Sequence, residues 1–219
     1  MSAPAASAQP VITRAAEGRR EPAARVLARA FRDNPLNVAV IGSADPARRL
    51  RCNLHGMRAS LASAGRHGEA LVASHGGRVA GGLLAVPPGA YPLPAPGLLV
   101  QARCLLGQGW RVATRWGEVF DALRPHHPAA PHWYLGTLGV DPALQRRGIG
   151  AALLRAWIER VDLSRAAAYL ETDRESNLPF YAHVGFEPAG RIEVLGVPVW
   201  RMQRPAAGAA AISNRPRAQ

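Results

Sequence analysis

The sequence predicts a mixed α/β domain, with helices packed around a central sheet. Short runs rich in β-branched and apolar residues alternate with longer stretches of helical periodicity. Two pairs of those runs are joined by glycine-containing turns of hairpin type. The chain has 219 residues, 48% hydrophobic and 19% charged, enough to bury one substantial core.

The elements follow in order. Residues 1–9 are small and rich in Ala and Pro, and the stretch 205–219 is similar; both are expected to be disordered tails, leaving 10–204 as a single domain. Val11 to Arg14 reads as a first strand. A helix near Pro22 to Phe31 places Val26, Leu27, Ala30 and Phe31 on one face, and Asp33-Asn34-Pro35 ends it. A second helix, Pro46 to Ala64, carries the stripe Leu50, Leu54, Met57 and Leu61. Glu69–Ser74 and Val79–Val86 are strands joined by His75-Gly76-Gly77-Arg78. Pro87 to Pro96 is a proline-punctuated loop. Leu98 to Leu123 is helical in pieces, interrupted by Gly107, Gly109 and Gly117, and Pro125 to Pro131 is a further loop. His132 to Val140 is a strand. Gln145 to Gly150 then turns into a helix bearing Ile149, Leu153, Leu154, Trp157, Ile158 and Val161. Ala166–Thr172 is a strand and Asn177–Val184 a short helix. Arg191–Leu195 and Val199–Gln203 form a terminal hairpin around Gly196-Val197-Pro198.

Composition excludes several functions. All 27 basic residues are arginine. Without lysine, the chain cannot be a Walker-A ATPase, a protein kinase or a Schiff-base PLP enzyme. The net charge of +12 invites a nucleic-acid partner, and Arg48, Arg49, Arg51, Arg58 and Arg66 lie close in sequence, as do Arg201, Arg204, Arg215 and Arg217. Yet from Asp141 to Glu175 six acids balance six bases. Abundant alanine and absent lysine indicate a compositional bias, so no nucleic acid is expected, and the Arg48–Arg66 face reads as the solvated side of a helix. Two cysteines, Cys52 and Cys104, are too few for a disulfide framework or a C-x-x-C zinc site. No run approaches the ~20 apolar residues of a membrane span and no signal peptide precedes the domain, so a cytoplasmic protein without a membrane partner is expected.

Chemistry concentrates between Trp133 and Phe186. Gly148 and Gly150 stand where a strand gives way to a helix, so the backbone can approach a ligand closely. The first N–H groups of that helix lack internal partners and sit at the positive end of its dipole, a ready cradle for pyrophosphate. This is not the dinucleotide fingerprint, whose third glycine would fall at Leu153.

The surrounding runs, WYLGTLGVDPALQRRGIGAALL and YLETDRESNLPFYAHVGF, resemble the GNAT N-acetyltransferase superfamily, with wording most similar to its puromycin N-acetyltransferase-like members. Gln145 to Gly150 matches the Q/R-x-x-G-x-G/A signature; Asn177, Tyr181 and Gly185-Phe186 match the features that follow the next strand. The resemblance implies the GNAT acyl-CoA N-acyltransferase fold, a mixed, mostly antiparallel sheet flanked by helices, and acetyl-CoA as cosubstrate without a metal. It implies that the backbone of Leu138, Gly139 and Val140 is splayed from the neighbouring strand and pairs with the pantetheine arm. It implies that the N–H groups of Arg146, Arg147, Gly148, Ile149, Gly150 and Ala151 hold the pyrophosphate, with the Arg146 and Arg147 side chains near it. Asn177 would contact the pantetheine or pyrophosphate region. Tyr181 would donate a proton to the leaving thiolate.

The reaction class explains these residue types. Acyl transfer to an amine passes through a tetrahedral oxyanion, which fixed backbone donors stabilise. Side-by-side binding of donor and amine makes attack effectively unimolecular, and the amine must first lose a proton. Many superfamily members place a glutamate on the strand equivalent to Trp133–Val140, where this chain has no carboxylate. Glu171 is the favoured base because the L-E-T wording belongs to the closest relatives; His132, His126, His127 and water are the alternatives. His126-His127, between prolines and without companion ligands, reads as solvated loop rather than a metal site. His132 reads as a strand-entry residue, and Trp110, Trp116 and Trp133 as core or pocket wall.

The expected partner is a small-molecule primary amine, such as an antibiotic or aminonucleoside, bound by a monomer or homodimer. Its pocket is expected between the first two helices, the stretch Pro87–His132 and the terminal hairpin, with Asp33, Glu118, Asp121 or Glu193 supplying negative charge. Two readings stay open: acetylation of a protein α-amino group or lysine, and a non-catalytic acyl-CoA-sensing or nucleic-acid-binding protein.

Overall fold

The computed structural model describes residues 9–208; the expected disordered tails lie largely outside them. In chain order the elements are β1 (Val11–Arg14), α1 (Glu17–Ala30), α2 (Pro35–Ile41), α3 (Pro46–His67), β2 (Glu69–His75), β3 (Arg78–Val86), α4 (Leu98–Gln108), α5 (Trp110–Leu123), β4 (His132–Val140), α6 (Ile149–Ser164), β5 (Ala167–Thr172), α7 (Leu178–Ala182), β6 (Glu187–Val194) and β7 (Val197–Arg204). One seven-stranded sheet has the order β1-β2-β3-β4-β5-β7-β6. All its pairings are antiparallel except β4–β5.

The central strands are apolar on both faces because both faces are covered. Side chains alternate across the pleat. Leu71, Ala73, Leu83 and Ala85 point with Leu135 and Leu170 into a core closed by Ile149, Leu153, Leu154 and Trp157 of α6. Ala70, Val72 and Leu84 point the opposite way, against Ala23, Ala24 and Leu27 of α1 and Leu61 and Ala64 of α3. A third cluster joins α2 and α5 to the terminal hairpin through Val40, Ile41, Val112, Val119, Leu123, Val194 and Val199. Among the described residues, no helix is long and apolar enough to cross a membrane.

Several boundaries differ from the sequence reading. Helix α1 starts at Glu17, more than a turn before Pro22; Pro22 therefore lies inside the helix and leaves the Gly18 carbonyl without its N–H donor, at a cost that the burial of Ala23, Ala24, Val26 and Leu27 offsets. Helix α2 was not anticipated. Its seven residues are too few for periodicity, although Pro35 at its first turn and Gly42 at its C-cap (φ 60°) are the usual punctuation. Gly107 and Gly117 lie inside helices, and Gly109 (φ 87°) alone separates α4 from α5. Strand β6 begins at Glu187, and the terminal hairpin turns on Leu195-Gly196, both with positive φ, instead of Gly196-Val197-Pro198. Trp133 is buried and Trp116 walls the cleft described below, but Trp110 is 71% exposed, contrary to its expected place in the core or pocket. It opens α5 on the outer side of the Gly109 break.

Candidate active site

Strands β4 and β5 run side by side only from His132–Leu135 against Ala167–Leu170. Beyond Leu135 the two part. The cause is local: on its other edge β4 pairs Leu135 with Ala85 but Thr137 with Leu84, so Gly136 is an extra, bulged residue. A bulge bends and twists its strand. The edge of β4 from Gly136 to Val140 therefore faces open space rather than β5, and Thr172 at the end of β5 pairs only with β7. Gly139 lies directly beneath α1: a Cβ there would stand 2.9 Å from Leu27 Cδ2 and 3.0 Å from Ala30 Cβ and Phe31 Cε2. Arg29 of α1 in turn donates to Asp141 Oδ2 (2.5 and 3.1 Å), pinning the helix to the end of β4.

From Asp141 the chain passes through a short 3₁₀ turn (Pro142–Leu144) into the glycine loop. Gln145 Nε2 donates to the Val140 carbonyl at 3.3 Å, holding the loop against the strand it leaves. Arg146 (φ 61°) and Gly148 (φ 76°) both adopt left-handed backbone, which turns successive N–H groups toward one side. The first intrahelical hydrogen bond of α6 runs from Ala152 to the Gly148 carbonyl, so the N–H groups of Ile149, Gly150 and Ala151 precede it. Burial of Ile149, Leu153, Leu154 and Trp157 fixes the helix that presents them.

The fork and this helix start open onto one cleft of about 1300 Å³. Leu138, Gly139, Val140, Gln145, Arg146, Gly150, Glu171, Asn177 and Tyr181 all border it. Arg147 and Gly148 are exposed outside its lining, Ala151 also lies outside it, and the Ile149 side chain is in the core. Tyr181 is 8% exposed and packs edge-on against Phe180 and Phe186. Burial, reinforced by the charge of Asp173, pushes its hydroxyl well up, so it stays protonated at neutral pH. Asn177 Nδ2 donates to Thr172 Oγ1 at 3.0 Å, which ties the start of α7 to the end of β5.

Glu171 projects from the last paired stretch of β5 into an aromatic shell. Its side chain is 7% exposed, and burial pushes the carboxyl up to about 7, against the opposing influence of the Tyr169 and Tyr134 hydroxyls and Arg201. His127 is not the solvated loop residue expected from its sequence. Its side chain is 6% exposed, stacked 3.9 Å from the Tyr91 ring, with Nε2 3.4 Å from Glu171 Oε1. Burial holds it down to about 4, hence neutral. His132 is buried behind it. His126 stands outside this stack, its Nδ1 3.4 Å from Arg201 Nη1.

Sequence reasoning also missed Tyr91, Tyr134 and Asp173. Asp173 accepts from Asn34 Nδ2 at 2.8 Å and from the Leu36 N–H at 2.7 Å, clasping the start of α2 to the end of β5. The expected suppliers of negative charge fare differently. Asp33 borders the cleft, but Arg32 and Arg49 hold it at about 2, in ion pairs of 2.6 and 2.7 Å. Glu118, Asp121 and Glu193 do not border the cleft.

A strand edge opened by a bulge, beside a helix start rich in free N–H groups, suits an extended phosphate-bearing donor and marks an acyltransferase fold. Residues 43–186 match the acetyltransferase (GNAT) family, and the chain belongs to that family. Enzymes of this fold use acetyl-CoA. A stretch of 57 residues is 49% identical to N-alpha-acetyltransferase RimI of Mycobacterium tuberculosis; it covers 25% of this chain and 34% of that protein, so the chain matches only about a third of that relative's length. The fold is similar to a Corynebacterium glutamicum structure described as histone acetyltransferase HPA2 and related acetyltransferase (TM-score 0.69, 24% identity, 90% of this chain and 96% of the other). It is also similar to the polyamine N-acetyltransferase of Drosophila melanogaster (TM-score 0.55, 18% identity, 89% and 99%).

Proposed function

We propose that this chain is an acetyl-CoA-dependent N-acetyltransferase that acetylates a small-molecule primary amine by direct attack in a ternary complex. The observation that carries this reading is that a buried carboxylate, Glu171, and a buried phenol, Tyr181, border one cleft at the fork between β4 and β5. The residues present fit the cosubstrate: the unpaired edge Gly136–Val140 suits an extended amide-bearing arm, and the N–H groups of Ile149 to Ala151 with the Arg146 guanidinium suit its phosphates. Acetyl-CoA, when bound, supplies the activated acetyl group and a thiol leaving group. Asn177, anchored through Thr172, stands where it can contact the arm. Glu171 takes the proton that the amine must lose, and Tyr181 holds the proton that the departing thiol needs.

The acceptor end supports a small molecule with an apolar or aromatic body. It is walled by Trp116, Val119, Phe120 and Leu123 of α5, by Met57 of α3, and by the Tyr91–Pro96 loop. With Asp33 and Asp173 engaged, Glu171 is the one uncommitted carboxylate among the residues lining the cleft. That favours a single ammonium over a polycation. The sequence resemblance adds an aminonucleoside or other antibiotic amine as the leading acceptor. Acetylation of a protein α-amino group is the second reading, supported by the likeness to RimI. The test is thiol release from acetyl-CoA with puromycin, arylalkylamines, aminoglycosides, polyamines and peptides with free N-termini, with Tyr181→Phe as control. Turnover confined to monoamines, and reduced in the variant, is the expected result. Turnover confined to peptides would establish the second reading instead.

A further inference from the structure

His127 borders Glu171, and the hydrogen bonds around it point to one tautomer. His132 Nδ1 lies 2.8 Å from the Ala130 carbonyl, which can only accept, so that nitrogen carries the proton. With the His132 proton on Nδ1 alone, its Nε2 is bare and accepts from His127 Nδ1, 3.3 Å away. His127 is thus left with its own Nε2 bare, and that lone pair points at Glu171 Oε1. Both atoms are buried, and neither has another hydrogen-bond partner. Two facing lone pairs repel; one proton between them bonds both. The 3.4 Å separation is about 0.5 Å beyond the optimum for such a bond, a gap that side-chain rotation closes.

We propose that Glu171 and His127 form a single proton-binding site between Oε1 and Nε2, and that His127 acts through Glu171 as a positioning and proton-storing residue for the acceptor amine. The assignment rests on the acetyl-transfer reading above. In the forward step an N–H bond of the acceptor ammonium breaks as an O–H bond forms on Glu171. The new O–H group turns to donate its hydrogen bond to the bare His127 Nε2. The amine is left neutral with its lone pair free, and the hydrogen bond to neutral His127 holds the abstracted proton on Glu171. The other groups facing the pair are the Tyr91, Tyr134 and Tyr169 hydroxyls, which burial keeps protonated, and Arg201 from β7. Behind them, His126 contacts Arg201 and His132 contacts His127.

Nitrogen NMR of histidine-labelled protein tests the pair without any substrate. One imidazole, lost in His127→Gln, should carry its proton on Nδ1, and its Nε2 signal should move with pH in step with the Glu171 carboxyl carbon. Glu171→Gln should abolish that movement. A proton resident on His127 Nε2 with Nδ1 bare, or an unchanged titration in Glu171→Gln, would overturn the proposal. If His127→Gln does not fold, wild type against Glu171→Gln decides alone. The kinetic arm uses whichever amine turns over and its β-fluorinated analogue, which is already neutral at assay pH. His127→Gln should lower kcat roughly tenfold or more for the cationic amine and little for the analogue, with the acetyl-CoA Kd unchanged. Equal losses on both amines would make His127 structural only and overturn the storage role. Shared titration with no amine turned over would instead refute the acetyl-transfer reading and leave the proton site standing.

Discussion

At Glu171 the same burial that suits the carboxyl to its proposed role as base also costs stability. The carboxyl's ordinary value is 4.5 and its folded value about 7, so the folded state binds the proton more tightly than the unfolded chain. Stability therefore falls as pH rises from about 4.5 to about 7, and the penalty persists above that. The difference corresponds to about 3 kcal/mol. Glu171→Gln should accordingly be more stable than wild type at pH 8, by up to about that amount in denaturant titration, while kcat falls by about 10²–10⁴. In wild type, kcat/KM should rise with pH through about 7, where the carboxylate forms; the variant should lose that limb. Tyr181→Phe should reduce kcat by about 10²-fold and leave acetyl-CoA binding, measured by calorimetry, within about twofold, because the role proposed for its hydroxyl is to move a proton rather than to hold the donor.

The fork depends on how α1 lies across β4. Gly139 makes that contact possible, since any Cβ there meets Leu27, Ala30 and Phe31 at 3.0 Å or less. Ala30 cannot rotate away, so Gly139→Ala must push α1 off the strand. We expect a loss of about 1–3 kcal/mol in thermal unfolding, with a larger proportional loss of acetyl-CoA affinity than of overall stability. The Asp173 clasp works at the other side of the fork. Asp173→Ala leaves Asn34 Nδ2 and the Leu36 N–H without their acceptor, which should cost about 1–3 kcal/mol and raise KM for the amine, because α2 and the end of α1 wall the acceptor side. Hydrogen exchange confined to Asn34–Ile41 would check that the loosening is local.

Over the whole molecule the charge of +12 acts as a long-range field. Many arginines are committed to fold contacts: Arg29 to Asp141, Arg49 to Asp33, Arg58 to Glu21, Arg204 to Asp162, and Arg160 to Glu69. The residual field still attracts an anionic cosubstrate. The association rate of acetyl-CoA should therefore fall as salt rises from 50 to 500 mM, in stopped-flow measurements, while dissociation changes little. A salt-independent association rate would mean that the excess charge is spread too evenly to steer.

Much of the local structure around the cleft was legible in the chain. The run Gln145–Gly150 before an apolar helical stripe, the strand His132–Val140, and Asn177, Tyr181 and Phe186 at fixed spacings are local patterns, and local spacing dictates local structure. The sheet elements followed for the same reason, since alternation and glycine turns are properties of neighbouring residues. The bulge at Gly136, which opens the fork, carries no such mark: it arises from the register between β3 and β4, 50 or so residues apart in sequence. His127 was misread because two histidines between prolines have no period, and only the path of the loop over β5 brings one beside Glu171 and Tyr91. Asp33 looked available for an amine until α3 folded Arg49 onto it. The sequence by itself determined the family, the order of the strands and the glycine loop that opens α6. Tertiary structure alone decided which carboxylate stays free and which imidazole faces it, because burial and charge pairing depend on groups that meet only when distant segments pack together.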